Sequence, residues 1–406
     1  MKKQGLILIY MIMAAVIFDL LIFGIQLRDT GFLAATKCTP GWQCRDYAAY
    51  GYLDKNCQWK NLISCDFDCG SQGCIVAPTV AGGITRLTIN NATQALSRIF
   101  DNYVVYVDNR NSVVEGHDTD VYVYDLTSDT ESKIVTAGGP VCDNEGSRIP
   151  KPCIANEGYK NQANPDISNG VVVFEDYSRV CNYLGEGDIC PTIYLYDTTE
   201  KKAKPLMNTK NVQFTPKIDG NSVVWYEIDT QTNAISAMWY DTSLKVSKNL
   251  GPGQFPDVSN NKVVFMPLSF SNLRLFDIAT QSLQELPVVG MFPEISGNNI
   301  VYSRFDVGEN SSNIYLYNLD AKTEKKINSV PSKFAGGQKI SGIYVVYHAL
   351  RDGYLKIVLY DMLSQSERII DNSSYNQTNP SVFGNKIAYE KTVDGNKDIY
   401  LYTISE

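Results

Sequence analysis

Five charged residues occupy one position of a repeated phrase in this 406-residue chain. Each directly follows a proline, or in one copy a glutamine; in chain order they are Asp166, Lys217, Asp257, Glu294 and Lys339. Carboxylates and ammonium groups make the stronger kinds of hydrogen bond, so a fold that gathers them would create a polar ligand site. We therefore predict that these five residues bind a ligand. The alternative is that they cap strand ends and pair only with one another.

Other motifs of catalysis are missing from the sequence. His117 and His348 are the only histidines, so a histidine-rich metal site is excluded. There is no Gly-x-Ser-x-Gly elbow, no His-Glu-x-x-His pair and no phosphate-binding glycine loop. We accordingly predict no catalytic residue, no metal and no cofactor, and that the chain is not an enzyme.

The ten cysteines favour disulfides in an exported protein. Six of them form a dense cluster: Cys38, Cys44, Cys57, Cys65, Cys69 and Cys74. The cluster contains no histidine and no Cys-x-x-Cys pair, which argues against zinc, but its pairing cannot be chosen from sequence. The other four are predicted to pair locally, as Cys142–Cys153 and Cys181–Cys190, each closing an insertion.

The elements that must position the charged residues are strands. Each copy of the phrase gives a short first strand, a Val-Val-Tyr-like second strand and an alternating Ile-Tyr-Leu-Tyr-Asp third strand, and most add a fourth. The copies align on a second-strand aromatic residue: Tyr106, Phe174, Trp225, Phe265, Tyr302, Tyr347 and Tyr389. A period of about 40–50 residues with four strands per unit predicts an all-β, seven-bladed β-propeller of four-stranded antiparallel blades.

The last copy lacks a fourth strand, since the sequence ends soon after Ile399-Tyr400-Leu401-Tyr402. A strand-like segment, residues 84–89, precedes the first copy. We predict that this segment supplies the missing outer strand and closes the ring, which would leave no open seam between the first and last blades. The alternative is a loose linker.

The repeat resembles the TolB-type, WD40-like β-propeller family over residues 84–406. The resemblance rests on copies such as Gly384-Asn385-Lys386-Ile387-Ala388-Tyr389 followed by Asp398-Ile399-Tyr400-Leu401-Tyr402. The Ser-Pro-Asp-Gly turn of that family is replaced by Ser-Gly-Asn, Ser-Asn-Asn or Asp-Gly-Asn. The resemblance implies a recognition scaffold more often than an enzyme, and suggests that the channel mouth binds a peptide end.

The N-terminal region differs from the repeats. Lys2 and Lys3 precede an apolar stretch of membrane-spanning length, which predicts a single-pass anchor with everything downstream outside the cytoplasm. Because Leu33-Ala34-Ala35 offers a small-residue cleavage site, a signal segment is the alternative. The predicted domains are an anchor or signal at 1–34, a disulfide-rich module at 35–80 and the propeller at 81–406, in an exported prokaryotic, possibly archaeal, surface protein.

Antiparallel order places the loops between second and third strands on the same face as the connections between blades. The insertions in blades 1 and 2 therefore share one face, which we predict to be the docking face. Four sequons predict glycosylation at Asn91, Asn310, Asn372 and Asn376. A net charge of −8 without basic clusters argues against nucleic acid.

Together these features predict a membrane-anchored scaffold at the cell membrane that recognises a protein or an envelope glycan. The alternatives are a carbohydrate-active enzyme that uses carboxylates of the channel mouth, or a structural component of the envelope.

Overall fold

A computed structural model describes residues 83–406 except 112–118, 136–160, 182–187, 331 and 406, together with Gln58 and five strands between residues 41 and 75. The side chains of residues 180–189 and of the five N-terminal strands are not included. The predicted anchor at 1–34 lies outside these ranges. Within them, no helix is both long and apolar enough to span a membrane.

The region predicted to be the disulfide-rich module contains five short strands. A three-stranded antiparallel sheet and a two-stranded hairpin are formed by β1 (Gly41–Asp46), β2 (Ala49–Leu53), β3 (Trp59–Ser64), β4 (Asp68–Gly70) and β5 (Gly73–Ile75). Its predicted disulfides lie outside the residues whose side chains are described, so they stay predictions.

Seven four-stranded antiparallel sheets follow, as the repeat predicts. A single strand, β6 (Ile84–Arg86), precedes the first of them. Blade 1 consists of β7 (Gln94–Phe100), β8 (Tyr103–Asp108), β9 (Asp120–Asp125) and β10 (Thr130–Lys133). Blade 2 consists of β11 (Gln162–Ser168), β12 (Val171–Cys181), β13 (Asp188–Asp197) and β14 (Lys202–Pro205). Blade 3 consists of β15 (Val212–Asp219), β16 (Ser222–Ile228), β17 (Ile235–Asp241) and β18 (Val246–Pro252).

Blades 4 to 7 continue the same pattern. Blade 4 consists of β19 (Gln254–Ser259), β20 (Lys262–Met266), β21 (Asn272–Asp277) and β22 (Ser282–Val289), and blade 5 of β23 (Met291–Ser296), β24 (Asn299–Asp306), β25 (Ser311–Asn318) and β26 (Thr323–Lys326). Blade 6 consists of β27 (Gly336–Ser341), β28 (Tyr344–Arg351), β29 (Tyr354–Asp361) and β30 (Ser366–Ile369). Blade 7 contains β31 (Asn376–Phe383), β32 (Lys386–Val393) and β33 (Asn396–Thr403). The first strand of each blade borders the central channel.

The propeller has two faces. We call the upper face the one that carries the loops between second and third strands and the connections between blades. The lower face carries the tight turns between first and second strands and between third and fourth strands. The ends of the predicted insertions, at Asp108, Asp120, Lys133, Gln162 and Cys181, lie on the upper face; the insertions themselves lie outside the described residues.

The core lies between neighbouring blades. The seven second-strand aromatic residues named above are all 0% exposed, and each packs into the apolar layer beside an adjacent blade. In blades 4 and 5 the ring lies directly over a glycine, Gly253 under Phe265 and Gly290 under Tyr302, where an added Cβ would overlap the ring. The sequence therefore needs glycine at these two positions.

Buried glutamines join consecutive blades. In three blades, a glutamine at or next to the start of the first strand accepts, through its side-chain oxygen, a hydrogen bond from a backbone N–H on the third strand of the blade before it. The pairs are Val121 N to Gln162 (2.8 Å), Ile193 N to Gln213 (3.0 Å) and Ile357 N to Gln377 (3.1 Å). Each bond satisfies a buried donor that no fourth strand reaches.

The predicted closure is confirmed. Strand β6 pairs antiparallel with β33, so Ile84 to Arg86 form the outer strand of blade 7. The seam is reinforced by a buried ion pair in which Arg86 Nη2 lies 2.8 Å from Asp398 Oδ2, with both side chains at most 2% exposed. Thr88 takes the role that glutamine has elsewhere, since its hydroxyl accepts from Ile399 N at 2.9 Å.

Candidate functional site

Six charged side chains converge at the propeller axis, one from each of blades 1 to 6. They are the five residues predicted from the repeat, Asp166, Lys217, Asp257, Glu294 and Lys339, together with Arg98, which sequence reasoning did not select because its copy lacks the proline. We call this set the axial cluster. Blade 7 contributes Ser381, whose hydroxyl accepts from Ile99 N at 3.1 Å.

The axial cluster lies past the middle of the first strands rather than at their upper ends. Asp166 is followed by only two residues of β11, and Lys217 by two residues of β15. A ring at the upper mouth was expected, since each first strand starts there. The residue after the proline instead lies nearer the lower face, because one or more residues of each strand precede the proline.

Ion pairs join side chains of the cluster from different blades. Lys217 Nζ on blade 3 lies 3.6 Å from Glu294 Oε1 on blade 5, and Lys339 on blade 6 binds the same oxygen. Arg98 Nε lies 3.9 Å from Asp166 Oδ1. These side chains are 14–19% exposed, so they still contact solvent. We call the part of the central channel between this cluster and the upper ends of the first strands the funnel.

Two carboxyl groups of the cluster, Asp257 and Glu294, have pKa values shifted in opposite directions. Burial raises the pKa of Asp257 to about 8, and the adjacent Glu294 carboxylate adds to the effect. Burial also opposes ionisation of Glu294, but Lys217 and Lys339 outweigh it and lower the pKa of that carboxyl. At neutral pH Asp257 is thus mostly a neutral acid beside an ionised carboxylate, which is the pairing that lets carboxyl groups give and take protons.

A bulge in every first strand aims the axial residues. The residue two positions before each of them has a positive φ, between 46° and 61°: Leu96, Asn164, Thr215, Phe255, Phe292, Gly337 and Asn379. The register with the second strand shifts there in all seven blades. Bulges of this kind bend a strand and redirect its side chains. Six of the seven are not glycine, so composition gave no signal for them.

Two fully buried glutamates hold these bulges in place. Glu175 accepts from Asn164 Nδ2 in its own blade at 2.8 Å and from Thr215 N in the next blade at 2.6 Å. Glu390 repeats the arrangement across the seam, with Asn379 Nδ2 and Leu96 N each at 2.7 Å. Because each glutamate bonds two bulges, it fixes the geometry of the channel wall.

Above the cluster the channel wall is aromatic on one side. We call Phe214, Tyr226, Phe255 and Phe292 the aromatic arc. Phe214 stacks on Tyr226 at 5.3 Å between centroids, Tyr226 meets Phe255 at 5.5 Å, and Phe255 meets Phe292 at 4.7 Å. All four rings are partly exposed. Three of them lie on innermost strands, which border the channel.

The opposite side of the wall is mixed. Its bulge residues are the apolar Leu96 in blade 1 and Asn164, Gly337 and Asn379 in blades 2, 6 and 7, and His348 lies against Gly337. Burial lowers the pKa of His348 to about 4, so its imidazole is neutral, and its Nδ1 has no hydrogen-bond partner among the described atoms. A channel with aromatic rings on blades 3 to 5 and polar groups on blades 2, 6 and 7 can stack against one face of a ring-shaped ligand and hydrogen-bond its other face.

Two further kinds of site were predicted, disulfides and glycosylated asparagines. Cys190 is disulfide-bonded, but the side chain of its predicted partner Cys181 is not described, so that pairing stays a prediction. Cys142 and Cys153 lie outside the described residues. The four predicted glycosylation sites are exposed asparagines, and their modification is untested. No group of three His, Cys, Asp or Glu side chains in the described ranges is arranged to hold a metal ion.

Neither a family model nor a curated protein matches the chain. Solved propellers do. The β-propeller domain of the trilobed protease from Pyrococcus furiosus matches with a TM-score of 0.57 at 13% identity, over 77% of this chain and 96% of that one. An oligogalacturonate lyase solved with manganese matches with a TM-score of 0.58 at 12% identity, over 82% of this chain and 96% of that one. Acylaminoacyl peptidase from Pyrococcus horikoshii matches with a TM-score of 0.53 at 13% identity, over 76% of this chain and 52% of that one, so this chain spans about half of its length.

These likenesses establish the propeller fold and correct one prediction. The prediction that the chain is not an enzyme is wrong as an inference from the fold, because the similar structures include a lyase, a peptidase and part of a protease. A propeller of this form is compatible with enzymatic activity. Membership of the TolB-type family, a membrane anchor and an archaeal source stay predictions.

Proposed function

We propose that this chain is an extracytoplasmic recognition propeller that binds an envelope glycan in the funnel on its upper face. The observation that carries the proposal is the aromatic arc standing above the axial cluster. Aromatic faces take the apolar side of a sugar ring, while amide, carboxyl and ammonium groups take its hydroxyls. The funnel provides aromatic rings on blades 3 to 5 and polar groups on blades 2, 6 and 7, at the depth of the seven bulges.

The first prediction concerns the arc. Replacing Phe255 and Phe292 together by leucine keeps apolar volume but removes both ring faces, so we expect binding to the best oligosaccharide on a glycan array to weaken at least tenfold, about 1.4 kcal/mol. The matched control replaces Leu244 and Leu363, exposed apolar residues of lower-face turns, by alanine. Equal losses in both double variants would mean that the funnel is not the site.

A second candidate function uses the same site. The chain would cleave the glycan it binds, with Asp257 as the proton donor. The raised pKa of Asp257 beside the ionised Glu294 favours this candidate, since general acid catalysis needs an acid that holds its proton near neutral pH.

The corresponding prediction is a loss of turnover. If the purified chain releases product from the bound glycan, Asp257→Asn should lower the rate about 100-fold or more, because an amide cannot donate the proton. The wild-type rate should also fall as pH rises through about 8, where Asp257 ionises. Asp277→Asn, at a lower-face turn of the same blade, is the control. A variant Asp257→Asn with full activity would exclude Asp257 as the acid.

A further inference from the structure

His348 occupies a position that has an equivalent in each blade, the residue directly after the second-strand aromatic. In blades 2 and 7 the equivalent residues are Glu175 and Glu390, and each binds the asparagine side chain at the bulge of its own blade. In blade 3 the equivalent residue is Tyr226, a member of the aromatic arc. This position therefore places a side chain in the channel wall at the depth of the bulges.

Blade 6 differs from blades 2 and 7 because its bulge residue, Gly337, has no side chain. Glu175 and Glu390 are 0% exposed, and the bulge asparagine of the same blade bonds to each of them. His348 is only half-buried, since its blade has no bulge side chain to cover it. A Cβ added at Gly337 would lie 2.7 Å from both Cε1 and Nδ1 of the imidazole. The ring thus occupies the space that a bulge side chain would need.

The two nitrogens of this imidazole have different surroundings. Nδ1 is buried and has no hydrogen-bond partner among the described atoms. Within the described structure Nε2 also makes no hydrogen bond, but it is not a buried atom, so it is the nitrogen that a ligand can reach. Buried N–H groups without an acceptor are rare, which favours the proton of the neutral ring on Nε2 rather than on Nδ1. His348 thus presents an N–H donor at the accessible edge of its ring.

The donor carries no charge at neutral pH. Burial lowers the pKa of His348 to about 4, and the Glu390 carboxylate of the next blade opposes this shift only in part. An uncharged N–H group lacks the added attraction that a cation has for an anion. It therefore suits a neutral acceptor oxygen, such as a hydroxyl or a carbonyl.

His348 lies beside the last ring of the aromatic arc. Gln338, which follows Gly337, donates through Nε2 to Phe292 O at 2.5 Å and to Met291 O at 3.3 Å. These bonds hold the bulge of blade 6 against the bulge of blade 5. A ring-shaped ligand that stacks on Phe292 would therefore have its edge near the imidazole.

We propose that His348 is a ligand-binding residue of the funnel, whose Nε2–H donates past Gly337 to a neutral acceptor oxygen of the bound sugar. The inference rests on the proposed function for the nature of the ligand, but the state of the imidazole can be measured without it. It adds a specificity-determining donor to the site. It also gives a reason for glycine at this one of the seven bulges.

The first test is nitrogen NMR of the full chain with isotope-labelled histidine. The chain has only two histidines, so the variant His117→Gln assigns both sets of signals. Between about pH 6 and pH 8 we expect a neutral His348 ring with its proton on Nε2. The Nε2 signal should shift when the best oligosaccharide of the glycan array is added. A proton on Nδ1, or titration of His348 at about its ordinary pKa of 6.5, would overturn the proposal.

The second test displaces the imidazole. Gly337→Ala should weaken oligosaccharide binding at least about tenfold, because the added Cβ takes the place of the ring. Gly342→Ala is the matched control. Gly342 lies in the lower-face turn of the same blade with a similar φ, 56° against 61°, and nothing lies within 4 Å of its added Cβ. Both variants put alanine at a positive φ, so they differ in their effect on His348.

Further outcomes separate this inference from the proposed function. Unchanged binding in Gly337→Ala, or equal weakening in Gly342→Ala, would overturn the inference. If Gly337→Ala fails to fold, His348→Phe, which fills the space without a donor, should bind at least about tenfold more weakly than wild type, with His348→Gln between them.

Loss of binding in Phe255→Leu with Phe292→Leu, but not in His348→Phe, would keep the proposed function and remove His348 from it. If no oligosaccharide binds the wild-type chain, the proposed function fails, and the NMR result alone decides whether His348 presents Nε2–H to the funnel.

Discussion

Replacing Arg86 by methionine is expected to destabilise the propeller by about 3–5 kcal/mol, because it leaves the buried Asp398 without its cation. The pair joins the closing strand β6 to β33, and Thr88 and Asn396 also donate to the Asp398 carboxylate. The measurement is the free energy of unfolding from urea denaturation. Since the substitution is at the seam between β6 and β33, we expect blade 7 to unfold at lower urea concentration than the other blades.

The pH dependence of this loss has a defined sign. Burial raises the pKa of Asp398 to about 6, above its value in an unfolded chain, and Arg86 opposes the rise. Without Arg86 the carboxyl holds its proton to still higher pH. The difference between wild type and Arg86→Met should therefore be largest above pH 8 and shrink toward pH 5, where a protonated Asp398 no longer needs a cation.

A matched control separates burial from charge. Lys326 and Glu309 form an ion pair at 2.5 Å, but their side chains are 28% and 48% exposed. Exposed pairs contribute about 0–1 kcal/mol, so Lys326→Met should change stability little. If the two variants lose equal stability, or if Arg86→Met loses less than the control, ion pairing at the seam is not what closes the ring.

The second large effect is expected at Glu390. Glu390→Gln should destabilise the chain by at least about 3 kcal/mol, because the amide cannot satisfy all the donors that surround the carboxylate. Glu390 accepts from Leu96 N, Asn379 Nδ2 and Thr378 Oγ1, and Lys397 Nζ lies 3.1 Å away. The exposed Glu285, which only accepts from Asn272 Nδ2, is the control for the same substitution.

Low pH should remove the stability difference between wild type and Glu390→Gln. Burial opposes ionisation of Glu390, but Lys397 and the hydrogen bonds outweigh burial and lower the pKa of Glu390. A carboxyl with a lowered pKa contributes stability above its unfolded value of about 4.3, and that stability is lost as pH falls through the folded value. The gap between wild type and Glu390→Gln should therefore be full at pH 7 and narrow below about pH 4. A gap that widens in acid would contradict the assignment.

The architecture could be predicted from the sequence because each copy of the repeat corresponds to one blade. Seven second-strand aromatics predicted seven blades, and all seven are fully buried between blades. The missing fourth strand of the last copy, together with residues 84–89, predicted the closure that β6 provides. These inferences needed only alternation of apolar residues and the rule that a strand edge must be covered.

The channel was harder to predict because its geometry depends on features without a sequence signature. A positive φ at Phe255 or Phe292 contradicts the usual preference of the residue before proline for extended backbone. Nothing in the sequence marks the residue after a second-strand aromatic as a link between blades, so Glu175 and Glu390 were missed.

Closing the ring with an N-terminal strand has a mechanical consequence. Strand β6 runs from the lower face toward the upper face at the outer edge of blade 7, so the chain enters the propeller from the lower face. A pull on the chain that precedes β6 acts first on three paired residues and the Arg86–Asp398 contact. The seam is thus the element that yields first under tension, before any complete blade unravels.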